Sequence, residues 1–441
     1  MKHVILGNGP AGVVAAETLR RAAPLDDIVM VGCEDAPAYS RMAIPYLLMN
    51  RIDESGTYLR KSEDHFDSLR IGEIRGKAAR LDTAARQVSL DDGTILPFDR
   101  LLIATGSRPI VPPIPGIDLP DVHPCWTLDD ARAILAKAEP GKRVLQVGAG
   151  FIGCIIMEAL VERGVTLTIV EMGDRMVPRM MTPAAGNMIR RWVEHKGVRV
   201  VTSAKVNRIE LAKASQGGLG GIIKRLTGTA SETTGPMRAT LSTGDVIECD
   251  LIIAAAGVRP NLEFLAGSGI QVGAGVIVDE SLETSVAGIF AAGDCVEAAE
   301  FHSGKPFVNA IQPDAAEQAR IAALNMAGKP ARSQGSMAIN VLDTMGLISS
   351  SFGQWEGVPG GDGVESVAPE LYRYLSLQFQ GDVLVGATAI GLTQHVGALR
   401  GLIQNRTHLG NWKKILKEKP ERFVEAYVAN SQATAMARSL N

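Results

Sequence analysis

The chain has 441 residues, 46% hydrophobic and 21% charged, with a formal net charge of −3. That length supports two or three separately cored domains, and the dispersed charge leaves no basic footprint for nucleic acid or an anionic membrane. Five widely spaced cysteines (Cys33, Cys125, Cys154, Cys249 and Cys295) and seven scattered histidines exclude a zinc ribbon, a sequence-local iron–sulfur motif and an evident metal site.

The amino terminus runs from Lys2 into a short apolar stretch and then glycines, without the pattern of a secretory leader. No stretch approaches the ~18 apolar residues of a membrane span. A cytoplasmic protein is expected. His3-Val-Ile-Leu-Gly7 reads as a strand, followed by Gly7-Asn-Gly9-Pro-Ala-Gly12 and a helical VVAAETLRRA. Side chains at the three glycines would block the turn, the approach of a pyrophosphate, or the packing of helix on strand. The free N–H groups and positive dipole end of the helix then meet the phosphates. A second strand, Ile28-Val-Met-Val-Gly32, ends near Glu34, 22 residues beyond Gly12 and spaced to bind ribose hydroxyls. Tyr39-Ser-Arg-Met-Ala-Ile-Pro-Tyr46 comes next and carries no cysteine.

Asp99-Arg-Leu-Leu-Ile-Ala-Thr-Gly-Ser-Arg-Pro109 reads as a strand leaving the first unit, and the proline-rich stretch to Gly116 as a crossing between domains. The glycine pattern then recurs. Arg143-Val-Leu-Gln-Val147 leads into Gly148-Ala-Gly150-Phe-Ile-Gly153, a helix through Glu158, and the strand Leu167-Thr-Ile-Val170 ending in Glu171, 18 residues past Gly153. One such loop is weak evidence; two, each flanked by strand, helix and terminal acid, indicate two dinucleotide sites. A carboxylate at Glu171 accepts from a free 2′-hydroxyl and repels a 2′-phosphate, favouring NADH over NADPH, with Arg175 and Arg179 near enough to soften the preference. Residues 212–236 read as a mobile hairpin insertion, with partner docking or membrane contact as the alternative. Beyond residue 335, strand-like LYRYLSLQF and VLVGATAIG precede a helical carboxy terminus.

The first glycine loop, Ala104-Thr105-Gly106, and Gly288-Ile-Phe-Ala-Ala-Gly-Asp-Cys295 together resemble the FAD-dependent pyridine nucleotide-disulfide oxidoreductase superfamily, in order and spacing along the whole chain. The resemblance implies an α/β fold of two Rossmann-like domains and a carboxy-terminal α+β capping and dimerisation domain. The FAD domain is expected to be split, residues 1–115 and 246–330, around an NAD domain at 116–245, with the third domain at 335–441. It assigns Gly7, Gly9, Gly12, Glu34, Thr105, Gly106, Gly293 and Asp294 to FAD, and Gly148, Gly150, Gly153, Glu171 and Gly257 to NAD. Asn309–Ala319 resembles the helix whose amino terminus faces the flavin, where its dipole stabilises negative charge on the reduced ring.

Aligning Ala43-Ile-Pro-Tyr46 with related coenzyme A disulfide reductases and NADH oxidases puts Met42 where they carry a cysteine. A thioether forms neither thiolate nor disulfide. The Tyr39-x-Arg41 pattern instead resembles rubredoxin and ferredoxin reductases and the flavin module of NADH nitrite reductases. There Arg41 is expected to hold FAD, or else a structural ion pair. Where much of the superfamily has a glutamate for the nicotinamide this chain has Ile155, with Glu158 the nearest acid on that helix. Arg41, Met42 and Glu158 are therefore the flavin-proximal candidates, none of them covalent. The expected activity carries hydride from NADH to FAD and electrons onward to a small electron-transfer protein. Reduction of a disulfide, persulfide or oxygen, and an NADH-sensing role, are the alternatives.

Overall fold

The computed structural model describes residues 1–212, 236–392 and 394–439; the segment read as an insertion lies outside them at residues 213–235. Two five-stranded parallel sheets organise the nucleotide units. In the first, the strand order is Ile289–Ala291, Arg100–Ile103, Lys2–Leu6, Asp27–Gly32 and Ile71–Arg75. In the second it is Arg199–Val201, Thr166–Val170, Arg143–Val147, Leu251–Ala254 and Val122–His123. Val4, Ile5 and Leu6 are almost wholly buried, as a parallel strand covered on both faces requires. Each contributes roughly 1.5–3 kcal/mol of transfer free energy. Strand Ile289–Ala291 joins the same core as the amino-terminal strands, so the first unit is assembled from both ends of its sequence.

The boundary expected at residues 245 and 246 falls inside the second unit. Leu251–Ala254 pairs in register with Arg143–Val147, and the antiparallel strands Met237–Leu241 and Val246–Cys249 pack with Leu145 and Val170. The second unit therefore runs on to the crossing at Val258–Pro260. That crossing pairs antiparallel with Ser107–Pro109, Arg259 opposite Arg108, so the chain enters and leaves through one ribbon.

The third unit is a five-stranded antiparallel sheet in the order Ile339–Thr344, Leu347–Gly353, Val383–Ile390, Arg373–Gln380 and Asp362–Ala368. Helices Val396–Gln404, Asn411–Glu418 and Phe423–Ser439 follow. Phe352, Leu375 and Leu377 pack with Leu399 and Leu402 of the first of these helices. Leu342, Tyr374 and Ile390 pack instead with the second nucleotide unit. Thr182 donates to the Tyr374 hydroxyl at 2.7 Å, and Trp192 Nε1 donates to the Thr344 carbonyl at 3.0 Å. Among the described residues no helix is long and apolar enough to cross a membrane.

Candidate functional site

Both glycine loops are built on the same backbone contact. Gly7 and Gly148 have φ of +118° and +104°, and a Cβ on either would lie 2.0 Å from the Ala104 carbonyl oxygen or 2.4 Å from that of Ala255. Gly12 is as restricted: its Cβ would stand 1.9 Å from the Gly7 carbonyl, where the helix Pro10–Ala22 meets the strand. Gly153 repeats this against Gly148 at 2.6 Å. Gly9 and Gly150 differ, since a Cβ there meets nothing within 4 Å. At these two positions no protein atom needs the glycine. The open space lies at a helix amino terminus, where a pyrophosphate would approach backbone N–H groups.

On the first unit, a cleft of about 410 Å³ is lined by Asn8, Gly32, Glu34, Glu73 and Arg75, among others. Glu34 is engaged by protein groups: Arg41 Nη2 lies 2.6 Å from its Oε1, and the Tyr39 hydroxyl donates to Oε2 at 2.5 Å. Arg41 Nη1 donates to the Tyr39 hydroxyl at 2.6 Å and the Trp126 carbonyl at 2.9 Å. Ser40 donates to Gln312 at 2.7 Å, at the amino terminus of the helix Gln312–Met326. The Tyr-Ser-Arg segment thus ties the acid of the cleft to the helix expected to face the flavin.

Asp294 accepts from the Ser107 hydroxyl at 2.8 Å. Burial pushes its carboxyl up, while Ser107 and Arg41 pull it back. Gly293 N–H donates to Gln318 Oε1 at 2.9 Å, and Gln318 Nε2 donates to Asp314 at 2.9 Å, forming a buried support beneath the Gly293–Asp294 turn. Thr105 and Gly106 are held by Asn261: Thr105 Oγ1 donates to its carbonyl, and its backbone N–H donates to the Gly106 carbonyl.

In the second unit, each Glu171 oxygen accepts a backbone N–H, from Ala149 at 2.6 Å and from Gly173 at 2.7 Å. The carboxylate thereby fixes the second residue of the glycine loop, and its remaining lone pairs stay available to a ribose. Arg175 is occupied by the Met181 and Pro178 carbonyls and Asp174, whereas Arg179 is exposed. Gly257, at φ +102°, accepts from Ile110 N–H through its carbonyl. It borders a small cavity with Trp126, Ile152 and Cys125.

Met42 lies in the one-turn helix Arg41–Ala43 and is 47% exposed. Glu158 is placed differently from expectation. It sits about 12 Å along its helix from Gly150, where burial and Asp343 push its carboxyl up and the Met345 backbone pulls it down. This acid faces the third unit, turned there by the helix packing on strand Ile339–Thr344.

Residues 1–321 match the family model described as pyridine nucleotide-disulphide oxidoreductase. The chain belongs to that family. It is 30% identical over 413 residues to the NADH-dependent phenylglyoxylate dehydrogenase subunit epsilon of Aromatoleum evansii, covering 92% of each chain. It is 31% identical over 332 residues to rhodocoxin reductase of Rhodococcus erythropolis, covering 74% of this chain and 72% of that one. Its fold matches the covalent putidaredoxin reductase–putidaredoxin complex with a TM-score of 0.84 at 23% identity, over 98% and 99% of the two chains. As a member of this family the protein is an NAD(H)-dependent flavin oxidoreductase that uses FAD and NADH. The residues present suit those cofactors, because the open approach at Gly9 and Gly150 is the room that two pyrophosphates require.

Trp126 and Asn261 escaped the reading of the sequence, and Ser107, Asp314 and Gln318, although inside segments singled out there, were given no role of their own; each acquires its place through contacts between distant segments.

Proposed function

We propose that this chain passes electrons between NADH and an iron–sulfur or similar one-electron protein carrier, with FAD as the relay and no sulfur intermediate. When bound, FAD would supply the relay between a two-electron hydride donor and a one-electron acceptor. In this reading Gly7, Gly9, Gly12, Glu34, Arg41, Thr105, Gly106, Gly293 and Asp294 hold FAD. Gly148, Gly150, Gly153, Glu171 and Gly257 hold NADH. The amino terminus of Gln312–Met326 would supply a positive dipole end toward the flavin. The observation that carries the proposal is Met42, a thioether at the position where a disulfide-reducing relative would need a thiol. Two relatives, one a rhodocoxin reductase and one a subunit of an NADH-dependent dehydrogenase, support a protein acceptor.

Cys125 borders the small cavity beside Gly257 and Ile152 and is one distant cysteine that a disulfide-reducing alternative could use. Its thiol is pushed up to about 12 by burial, which keeps it protonated and a poor nucleophile. Dimerisation through the third unit and a cytoplasmic setting complete the proposal; all five cysteines are free thiols, as a reducing compartment allows.

The test is anaerobic titration of the FAD-loaded protein with NADH, followed by offering ferricyanide, a rubredoxin and a ferredoxin in turn. Bleaching at one NADH per flavin, then rapid reoxidation by a protein carrier, is expected. Turnover with a persulfide or disulfide that disappears in Cys125→Ser would overturn it.

A further inference from the structure

The two terminal acids, Glu34 and Glu171, hold matching places in the sequence and differ in what they bind. Both oxygens of Glu34 are taken by side chains, the Arg41 guanidinium and the Tyr39 hydroxyl. Among the described residues it makes no bond to Asn8, the second residue of its own glycine loop. Glu171 bonds to backbone instead. Its Oε2 accepts from the N–H of Ala149, the second residue of the other loop, and its Oε1 from Gly173 N–H. The residue is only 9% exposed. Its own backbone is fixed as well, with its N–H on the Val201 carbonyl at 2.8 Å and its carbonyl accepting from Ala204 N–H at 3.1 Å.

Ala149 is held from its other end too. Its carbonyl accepts from Val177 N–H at 2.8 Å, and Val177 sits at φ +48°, a left-handed conformation that is costly for a β-branched residue. Both residues are buried, and such strain persists only where surrounding contacts enforce it. The peptide groups on the two sides of Ala149 are therefore clamped, one by Glu171 and one by Val177. Because a trans peptide is planar, fixing the Ala149 carbonyl also fixes the direction of the Gly150 N–H across the same plane. Gly150 is the residue at the start of the helix Phe151–Glu162 whose Cβ would meet nothing within 4 Å.

We propose that Glu171 is a positioning residue for the second glycine loop, contributing to nucleotide affinity through the backbone that meets the pyrophosphate, independently of any bond to ribose. The inference rests on the proposed assignment of this loop to NADH and goes beyond it, because the spacing of the acid gives it a ribose role only. An amide cannot replace the carboxylate here. A glutamine oxygen accepts one N–H, and its NH₂ then faces the other donor. Aspartate keeps the charge but is one methylene too short to span both donors.

The experiment is calorimetric titration of FAD-loaded wild type, Glu171→Gln and Glu171→Asp with NAD⁺ and, separately, with its 2′,3′-dideoxyadenosine analogue, whose adenosine ribose offers an acid no hydroxyl. Both variants are expected to weaken the analogue about tenfold, as loss of one charge-assisted hydrogen bond implies, and NAD⁺ at least as much. Wild-type affinity for the analogue, whether or not NAD⁺ weakens, would overturn the proposal. Hydrogen exchange of the ligand-free protein adds a second readout. The amides of residues 148–151 should exchange about tenfold faster in Glu171→Gln while those of the helix Pro183–His195 keep their wild-type rate. An equal rise in both segments would show a weakened fold in place of a loosened loop, and would overturn it too. If Glu171→Gln does not fold, Glu171→Asp decides the matter by the same two measurements. Wild-type protein that binds neither ligand would overturn the cofactor assignment itself.

Discussion

Arg41 and Glu34 form an ion pair at the edge of the first cleft, with Nη2 2.6 Å from Oε1. The guanidinium spans three acceptors, Glu34, the Tyr39 hydroxyl and the Trp126 carbonyl, so it binds the acid end of the first nucleotide unit to the entrance of the second. A lysine ammonium lacks the planar fork needed to reach all three. Charge-assisted hydrogen bonds are each worth roughly 1.5–3 kcal/mol. Arg41→Ala should therefore weaken FAD retention by about one to two orders of magnitude, with Arg41→Lys recovering little. Fluorescence titration of deflavinated protein with FAD measures it; wild-type affinity in the alanine variant would reduce Arg41 to a surface ion pair.

The glycines separate into those the fold needs and those a ligand needs. A Cβ at Gly12 would lie 1.9 Å from a backbone oxygen, and neither partner can yield without parting helix from strand. Gly9 has φ −74°, ordinary for any residue, and open space around the Cβ position. Gly12→Ala is expected to misfold. Gly9→Ala is expected to keep a thermal midpoint within a few degrees of wild type yet to lose bound FAD, and its yellow colour on purification is the readout. Full flavin content in Gly9→Ala would mean that no phosphate approaches this loop.

Much of this arrangement was legible because each nucleotide unit is specified locally: strand, three glycines, helix and acid lie within about 30 residues. The boundary error at residue 245 came from the antiparallel strands Met237–Leu241 and Val246–Cys249, which separate Leu251–Ala254 from the other strands of its sheet. A signal was available. Asp250-Leu-Ile-Ile-Ala-Ala-Ala-Gly257 echoes Asp99-Arg-Leu-Leu-Ile-Ala-Thr-Gly106, and in both the alanine just past the strand is the one whose carbonyl lies beneath a first glycine. Trp126 left no comparable trace, and Gln318, although inside the segment Asn309–Ala319, gave no sign of its partner. A hydrogen bond between residues 19 or 25 positions apart is fixed by how domains cross and not by any sequence period.

Thiol chemistry offers a direct check on the role of Met42. Burial pushes Cys125, Cys154 and Cys249 up to about 12 and Cys295 to about 11, and raises Cys33 as well. Only Cys33 is exposed. Native protein should react with one equivalent of a thiol reagent and denatured protein with five, and neither count should change after anaerobic reduction with NADH. Two additional thiols on reduction would reveal a disulfide in turnover and end the sulfur-free relay.

Asp314 should make stability depend on pH in a direction opposite to that of an ordinary ion-paired carboxylate. Burial pushes its carboxyl up to about 6, against the downward pull of Ser336 and Asn309, with Glu317 and Asp294 adding to the rise. The folded protein therefore holds this proton more tightly than the unfolded chain, where an aspartate titrates near ~3.9. The stabilising contribution is complete below that unfolded value and is lost as pH rises through about 6. At about 1.4 kcal/mol per pKa unit the loss is at most about 3 kcal/mol. Asp314→Asn keeps an oxygen to accept from Gln318 Nε2 and Ser336 Oγ, which lie 2.9 and 2.8 Å from Asp314 Oδ2, but has nothing to titrate. The unfolding free energy of the variant minus that of wild type should rise between pH 4 and 7 and then level off, as denaturant curves at a series of pH values would record. A difference that stays flat across that range would mean that Asp314 is already ionised at pH 4, and that the support beneath Gly293 and Asp294 carries a full negative charge throughout.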